Sequence, residues 1–258
     1  MPDTTRNARI TGGGKLDDAP LPPVVDRATY QAQLDELLLR EKAHTREGDA
    51  IAAARRRLPM VEVDAKAILV GEDGPVTLLD VFEGRRQLVV YYHMWHEGQP
   101  AAGQCEGCTF FTSHMRELSY LHSRDVTYAT FCEGSYEESA RYRAFMGWDV
   151  PWYSAKGASA LGVDEMGFGR IGCYLRDGDR VFETYWTTGR ATERLANSYA
   201  VLDMTVYGRQ EVWEDSPAGW PQPLATSGEQ FRLNGRPTSQ WPRLAAGRSE
   251  DLDSASTN

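Results

Sequence analysis

The spacing of apolar residues changes character several times along the chain. Between Arg27 and Leu58, Tyr30, Leu34, Leu37, Leu38, Ile51 and Ala54 recur at helical spacing, which predicts a long helix with Gly48-Asp49 as the point where it splits or bends. Arg55-Arg56-Arg57 near its end suits the negative pole of the helix dipole, as a solvated helix end rather than an anion site. Short strand-like pieces follow at Val61-Glu62-Val63 and Ile68-Leu69-Val70. Gly71-Glu72-Asp73-Gly74 then turns the chain into Val76 to Phe82. Leu88-Val89-Val90-Tyr91-Tyr92 reads as a buried strand, and a long polar loop runs from His93 to Gln104.

Helical spacing resumes with Phe110, Phe111, Met115, Leu118 and Leu121. Beyond it, Asp125 to Phe131 alternates as a strand. Glu137 to Met146 reads as a helix ended by Gly147-Trp148-Asp149, and Pro151 to Ser154 is extended. Ile171 to Leu175 and Arg180 to Tyr185 form a hairpin over Asp177-Gly178-Asp179, and Ala191 to Met204 is a further helix. Gly12-Gly13-Gly14 with Pro20, Pro22 and Pro23 breaks regular structure at the start, and Pro, Gly, Ser, Asp and Trp dominate from Glu214 on. The expected organisation is an irregular arm over 1–26, a helical extension over 27–59, an α/β domain over 60–213 and an irregular, disordered tail over 214–258.

Composition narrows the class. Of 258 residues, 41% are hydrophobic and 25% charged, as in a soluble globular protein. A net charge of −9 argues against a nucleic-acid partner, and no apolar run is long enough to span a membrane. The start lacks the basic-then-apolar build of a secretory signal, so the cytoplasm is the expected compartment. Four cysteines are too few for a disulfide scaffold, and a close pair in a reducing compartment points to redox or metal chemistry.

That pair is Cys105 and Cys108, in Gly103-Gln104-Cys105-Glu106-Gly107-Cys108-Thr109, between the buried strand and the helix after it. A helix N-terminus stabilises a thiolate on the first cysteine, and the second, nearly one turn on, reaches back to close a disulfide. A C-x-x-C in this position is where thioredoxin-like proteins keep their dithiol. Cys105 is expected to attack, Cys108 to resolve, and His96 to serve as a general base. Glu106, between the sulfurs, opposes the thiolate. Cys132 and Cys173 lie in apolar runs and read as buried hydrophobes, with a supporting thiol as the alternative.

The chief rival is a zinc or copper site. His93 and His96 form H-x-x-H, followed after eight residues by C-x-x-C, and all four residues are acceptable ligands. His114 lies six residues past Cys108 and reads as a packing histidine. Tyr91, Tyr92, Trp95, Trp148 and Trp152 are candidate walls of an apolar pocket. A third reading is a non-catalytic interaction protein of the same fold. No cofactor motif is present: glycine-rich phosphate loops, serine triads and flavin fingerprints are all missing, and Asp177-Gly178-Asp179 lacks calcium-loop spacing.

Several segments, taken in order, resemble one bacterial family. They are Gly74 to Phe82, Gln87 to His93, Glu106-Gly107-Cys108-Thr109-Phe110, Arg124-Asp125-Val126-Thr127, Met146-Gly147-Trp148, Pro151-Trp152-Tyr153-Ser154, and Leu202-Asp203-Met204-Thr205-Val206-Tyr207-Gly208-Arg209. The chain resembles domain of unknown function 899, a family described as predicted dithiol–disulfide oxidoreductases of the thioredoxin-like superfamily. The resemblance implies a peroxiredoxin-type thioredoxin-like fold and a thiol or disulfide substrate, protein or small molecule. Two departures stand out. Phe168-Gly169-Arg170-Ile171-Gly172 holds no proline where thioredoxins place one opposite the dithiol, and the peroxiredoxin pattern Pro-x-x-x-Thr-x-x-Cys is missing. Arg170 is expected, by likeness to peroxiredoxins, to stabilise the thiolate.

Overall fold

A computed structural model describes residues 19–224, 229–233 and 236–240. The first element is α1, Arg27–Arg55, capped by the Asp26 carboxylate, which accepts from the Ala28 and Thr29 amides at 2.9 and 3.0 Å. It runs unbroken through Gly48. One glycine costs a helix interior about 1 kcal/mol relative to alanine, too little to end a 29-residue element. None of its residues is buried, and Arg55 holds its far end over the Tyr185 ring.

The main domain is one sheet with helices on its faces. Its strands are β1 (Val61–Val63), β2 (Ile68–Gly71), β3 (Gly74–Thr77), β4 (Gln87–His93), β5 (Val126–Cys132), β6 (Trp152–Ser154), β7 (Arg170–Asp177) and β8 (Arg180–Thr188). Their order across the sheet is β1-β8-β7-β4-β5-β6-β2-β3. The helices are α2 (Leu78–Val81), α3 (Glu106–Ser113), α4 (Ser119–His122), α5 (Tyr136–Met146), α6 (Val163–Met166) and α7 (Asn197–Leu202). The expected continuation from Val76 to Phe82 is in fact a strand end that becomes α2 at Thr77, where Thr77 and Asp80 form a reciprocal cap. The expected 191–204 helix is a 3-10 turn over Gly189–Leu195 followed by the shorter α7.

At the centre, β4 pairs in parallel with β5 and antiparallel with β7, and β7 turns back into β8 through the two-residue turn Gly178-Asp179. A central strand that leads into a cysteine-bearing helix, a parallel neighbour on one side and an antiparallel hairpin on the other make a thioredoxin-like α/β sheet. The side chains of β4 alternate between two cores. Leu88, Val90 and Tyr92 join Leu69, Leu78, Phe82 and Phe131 on one face. Tyr91 and, across the ladder, Tyr128 and Cys132 face the other, with Trp95, Cys105, Cys108, Tyr142, Trp148 and Trp152. Each large apolar side chain buried in this way contributes about 1.5–3 kcal/mol.

Part of the stretch expected to be an irregular tail is structured. Residues Arg232–Leu233 (β9) and Arg236–Pro237 (β10) pair as a small antiparallel ribbon. Residues 1–18 and 241–258, where the rest of the expected arm and tail fall, lie outside the described residues. No described helix is long and apolar enough to cross a membrane.

Candidate dithiol site

The polar loop after β4 is tightly built. The buried Gln104 side chain accepts from the His96 amide at 3.0 Å and donates to the His96 and Gln99 carbonyls at 2.9 Å each. Glu133 accepts from the Trp95 amide and Glu138 from the Gly98 amide. These bonds draw the loop across the end of the sheet and deliver the chain to α3 with Cys105 at its N-cap. The Cys108 amide donates to the Cys105 sulfur at 3.3 Å. The Thr109 hydroxyl donates to the Cys105 carbonyl at 2.7 Å and also meets the Tyr142 hydroxyl at 2.7 Å, which fixes the first turn.

The two sulfurs sit in unequal surroundings. Cys105 is 9% exposed and Cys108 is 1% exposed; both are free thiols. A hydrogen bond from the Cys108 thiol lowers the Cys105 pKa from 9.0 to about 7, against the pull of burial, with help from the Cys108 amide, the charge of His96 and the Gly107 amide. Burial drives Cys108 well above the ordinary thiol range, and its neighbour's negative charge adds to this. Hydrogen bonds from Tyr91 and from the Met94 amide, the latter at 3.4 Å, partly offset that rise. The Tyr91 hydroxyl is itself pushed well up, first by burial and then by Cys108. The pair therefore presents one ionisable, reachable sulfur and one buried, protonated sulfur beside it.

The sequence-predicted residues divide into two groups. Cys105 and Cys108 come together, and His96 lies close enough for its charge to be felt. His96 bonds the Gly103 carbonyl through Nδ1 at 2.7 Å and acts on Cys105 through its charge. Arg170 does not join them. It lies opposite Tyr92 in the β4–β7 ladder, and its guanidinium stacks on the Tyr92 ring 3.5 Å from the centroid. There it donates to the Gly167 and Leu161 carbonyls, on the face of the sheet away from the cysteines. The expected stabilisation of the thiolate by Arg170 is therefore corrected. Its work is to pin the segment before β7.

The alternative metal set is not assembled either. His93 is fully buried among the Tyr91, Tyr142, Trp148 and Trp152 rings. Its Nδ1 bonds the Met94 carbonyl at 2.7 Å, and burial lowers its pKa from 6.5 to about 4. Among the described residues no three His, Cys, Asp or Glu side chains form a group fit to hold a metal. His114 bonds the Phe110 carbonyl and the Ser198 hydroxyl as a packing residue. Cys132 and Cys173 are pushed up to about 12 and about 11 by burial, which suits inert thiols.

Glu106 does not stand alone beside the sulfurs. Arg232 of β9 donates to it at 2.7 Å, so its charge is compensated. The preceding residue, Phe231, lies against Gly107, where a Cβ would meet its ring at 3.2 Å, and against Phe110. Together with Tyr91, Met94, Phe111, Phe168, Arg190, Glu193 and Tyr199 it walls a cavity of about 420 Å³ that reaches both cysteines. Residues 230–232 and 188–193 were not predicted as part of the site.

A profile of one family covers residues 19–233 of the chain, and it is described as bacterial protein of unknown function (DUF899). The chain belongs to this family. No curated protein matches it. Among solved structures it is similar to a secreted Mycobacterium tuberculosis disulfide oxidoreductase homologous to E. coli DsbE, at 11% identity and TM-score 0.35, over 54% of this chain and 97% of that one. It is also similar to Xanthomonas campestris peroxiredoxin Q, at 12% identity and TM-score 0.37, over 55% and 95%. A third is peroxidoxin BcpB from Mycobacterium tuberculosis, at 20% identity and TM-score 0.37, over 55% and 99%.

Proposed function

We propose that this DUF899 protein is a thiol–disulfide oxidoreductase that uses Cys105 and Cys108. The observation that carries the reading is the asymmetry of the pair: Cys105 is lowered to about 7 at a helix start while Cys108, within hydrogen-bond reach, is held protonated by burial. The Cys105 thiolate attacks one sulfur of a substrate disulfide, forms a mixed disulfide and releases one thiolate. Cys108 then loses its proton and attacks Cys105, which releases the second thiol and leaves a Cys105–Cys108 disulfide. The two protein thiols are oxidised and one substrate disulfide is reduced to two thiols. Tyr91, bonded to the Cys108 sulfur, is placed to steady the charge that forms there. Four cysteines in 258 residues are too few for a disulfide scaffold, and the cytoplasm is our proposed location.

The test is equilibration of the purified protein in dithiothreitol buffers of graded potential, followed by alkylation and mass spectrometry. A two-electron transition with loss of two hydrogen atoms of mass, mapped to the peptide holding both cysteines, is expected. Free alkylation of both thiols in the most oxidising buffer would reject the reading.

A further inference from the structure

The cavity beside Cys105 bears on which disulfides reach it. Besides β4, α3 and Tyr199, three separated segments contribute to its walls: Phe168-Gly169 before β7, Thr188 to Glu193 from the end of β8, and Gln230-Phe231. Cys105 lines it and is 9% exposed, so the cavity is where an attacked sulfur meets it. A volume of about 420 Å³ falls within the 300–1,000 Å³ of small-molecule sites.

The lining also has a charge pattern. Tyr91, Met94, Phe111, Phe168, Tyr199 and Phe231 make it largely apolar around the sulfurs. Two opposite charges stand within it. Arg190 has its guanidinium 4.0 Å from the Trp213 ring centroid and 3.1 Å from the Glu193 carboxylate, and its side chain is 65% exposed. Glu193 is fixed from behind by Arg209 at 2.9 Å. A cation and an anion side by side match the carboxylate and ammonium of an α-amino acid.

Building on the dithiol reading above, we propose that the substrate is the disulfide of a low-molecular-weight amino-acid or small-peptide thiol. Its disulfide bond lies on Cys105 and its zwitterionic end sits on Arg190 and Glu193. The reduced dithiol closes to a disulfide and the substrate leaves as two thiols, so the electrons balance without a further reactant.

Single-turnover oxidation of the reduced full-length protein tests this. The probes are cystine, the uncharged bis(2-hydroxyethyl) disulfide, and insulin as a protein disulfide. Each rate is divided by that of free dithiothreitol with the same probe, which cancels intrinsic reactivity. Cystine is expected to exceed the uncharged probe by about tenfold or more and insulin by about a hundredfold, on the order of one and two decades of discrimination. Arg190→Ala is expected to bring the cystine-to-uncharged ratio close to one, with Arg190→Lys intermediate. Equal normalised rates for all three probes, or a ratio unmoved by Arg190→Ala in a variant with unchanged circular dichroism, overturns the proposal. Diamide, which needs no binding site, separates the two readings. If diamide closes the Cys105–Cys108 disulfide but the probes are not discriminated, the substrate proposal alone falls. If diamide does not close it, the dithiol reading falls as well.

Discussion

Cys108→Ala removes the thiol that does most to hold Cys105 as a thiolate. Alanine supplies no donor in its place, whereas serine would supply a hydroxyl. The Cys108 and Gly107 amides and the charge of His96 remain, so the pKa of Cys105 is expected to climb from about 7 part of the way back toward 9.0. With a pKa of about 7, about half of Cys105 is thiolate at neutral pH. A rise of about one unit leaves roughly a tenth, and about two units roughly a hundredth. Alkylation by iodoacetamide at pH 7 should therefore slow by about 5- to 50-fold, with the midpoint of its pH profile moved up by about one unit or more. The background is low, because Cys132 and Cys173 are held up at about 12 and about 11. The assay is the rate of mass gain on the peptide holding Cys105 between about pH 5 and 10. A midpoint that stays near 7 in the variant would mean that Cys108 is not the source of the low pKa.

Three further outcomes are expected. Folded His93 stays neutral down to about pH 4 while an unfolded histidine takes a proton near 6.5, so stability is complete above 6.5 and falls as the pH drops toward 4. At about 1.4 kcal/mol per unit this limb amounts to about 3 kcal/mol, and urea titrations of His93→Phe should show it flattened; an identical slope in both proteins contradicts the burial argument. Gly134→Ala drives a Cβ into the Trp95 ring, so a loss of about 1–3 kcal/mol is expected in thermal melts, and an unchanged melting temperature would refute the close approach. Arg170→Ala should lower the melting temperature because two buried carbonyls lose their donor, yet leave the Cys105 alkylation profile in place; a shifted profile would return Arg170 to the site.

Local pattern carries only part of this molecule. The strand from Leu88 to Tyr92, the helix after Cys108 and the hairpin around Gly178 were legible because period and turn chemistry act over a few residues. The place of Cys105 and Cys108 at the start of a helix was legible in the same way. Arg170 was misplaced by a register effect. A strand residue opposite Tyr92 points to one face and a residue opposite Tyr91 to the other, and no spacing in the sequence tells which pairing the ladder adopts. The loop from His93 to Gln104 read as polar because its order comes from Gln104, Glu133 and Glu138, whose bonds join distant positions. Phe231 and Arg190 carry no local mark of their place beside the cysteines. Only the folded chain sets Phe231 against Gly107 and Arg190 beside the cavity.

The ion pair of Arg232 with Glu106 spans 126 positions of sequence, close to half the chain. A polypeptide made from its N-terminus contains β4, both cysteines and Glu106 long before it reaches Phe231. During synthesis the cysteines therefore pass through a stage in which the Glu106 charge is uncompensated and one wall of their cavity is missing. The cavity beside the cysteines is thus completed late, with the arrival of Phe231 and Arg232, and a cut ahead of them would leave it open on that side.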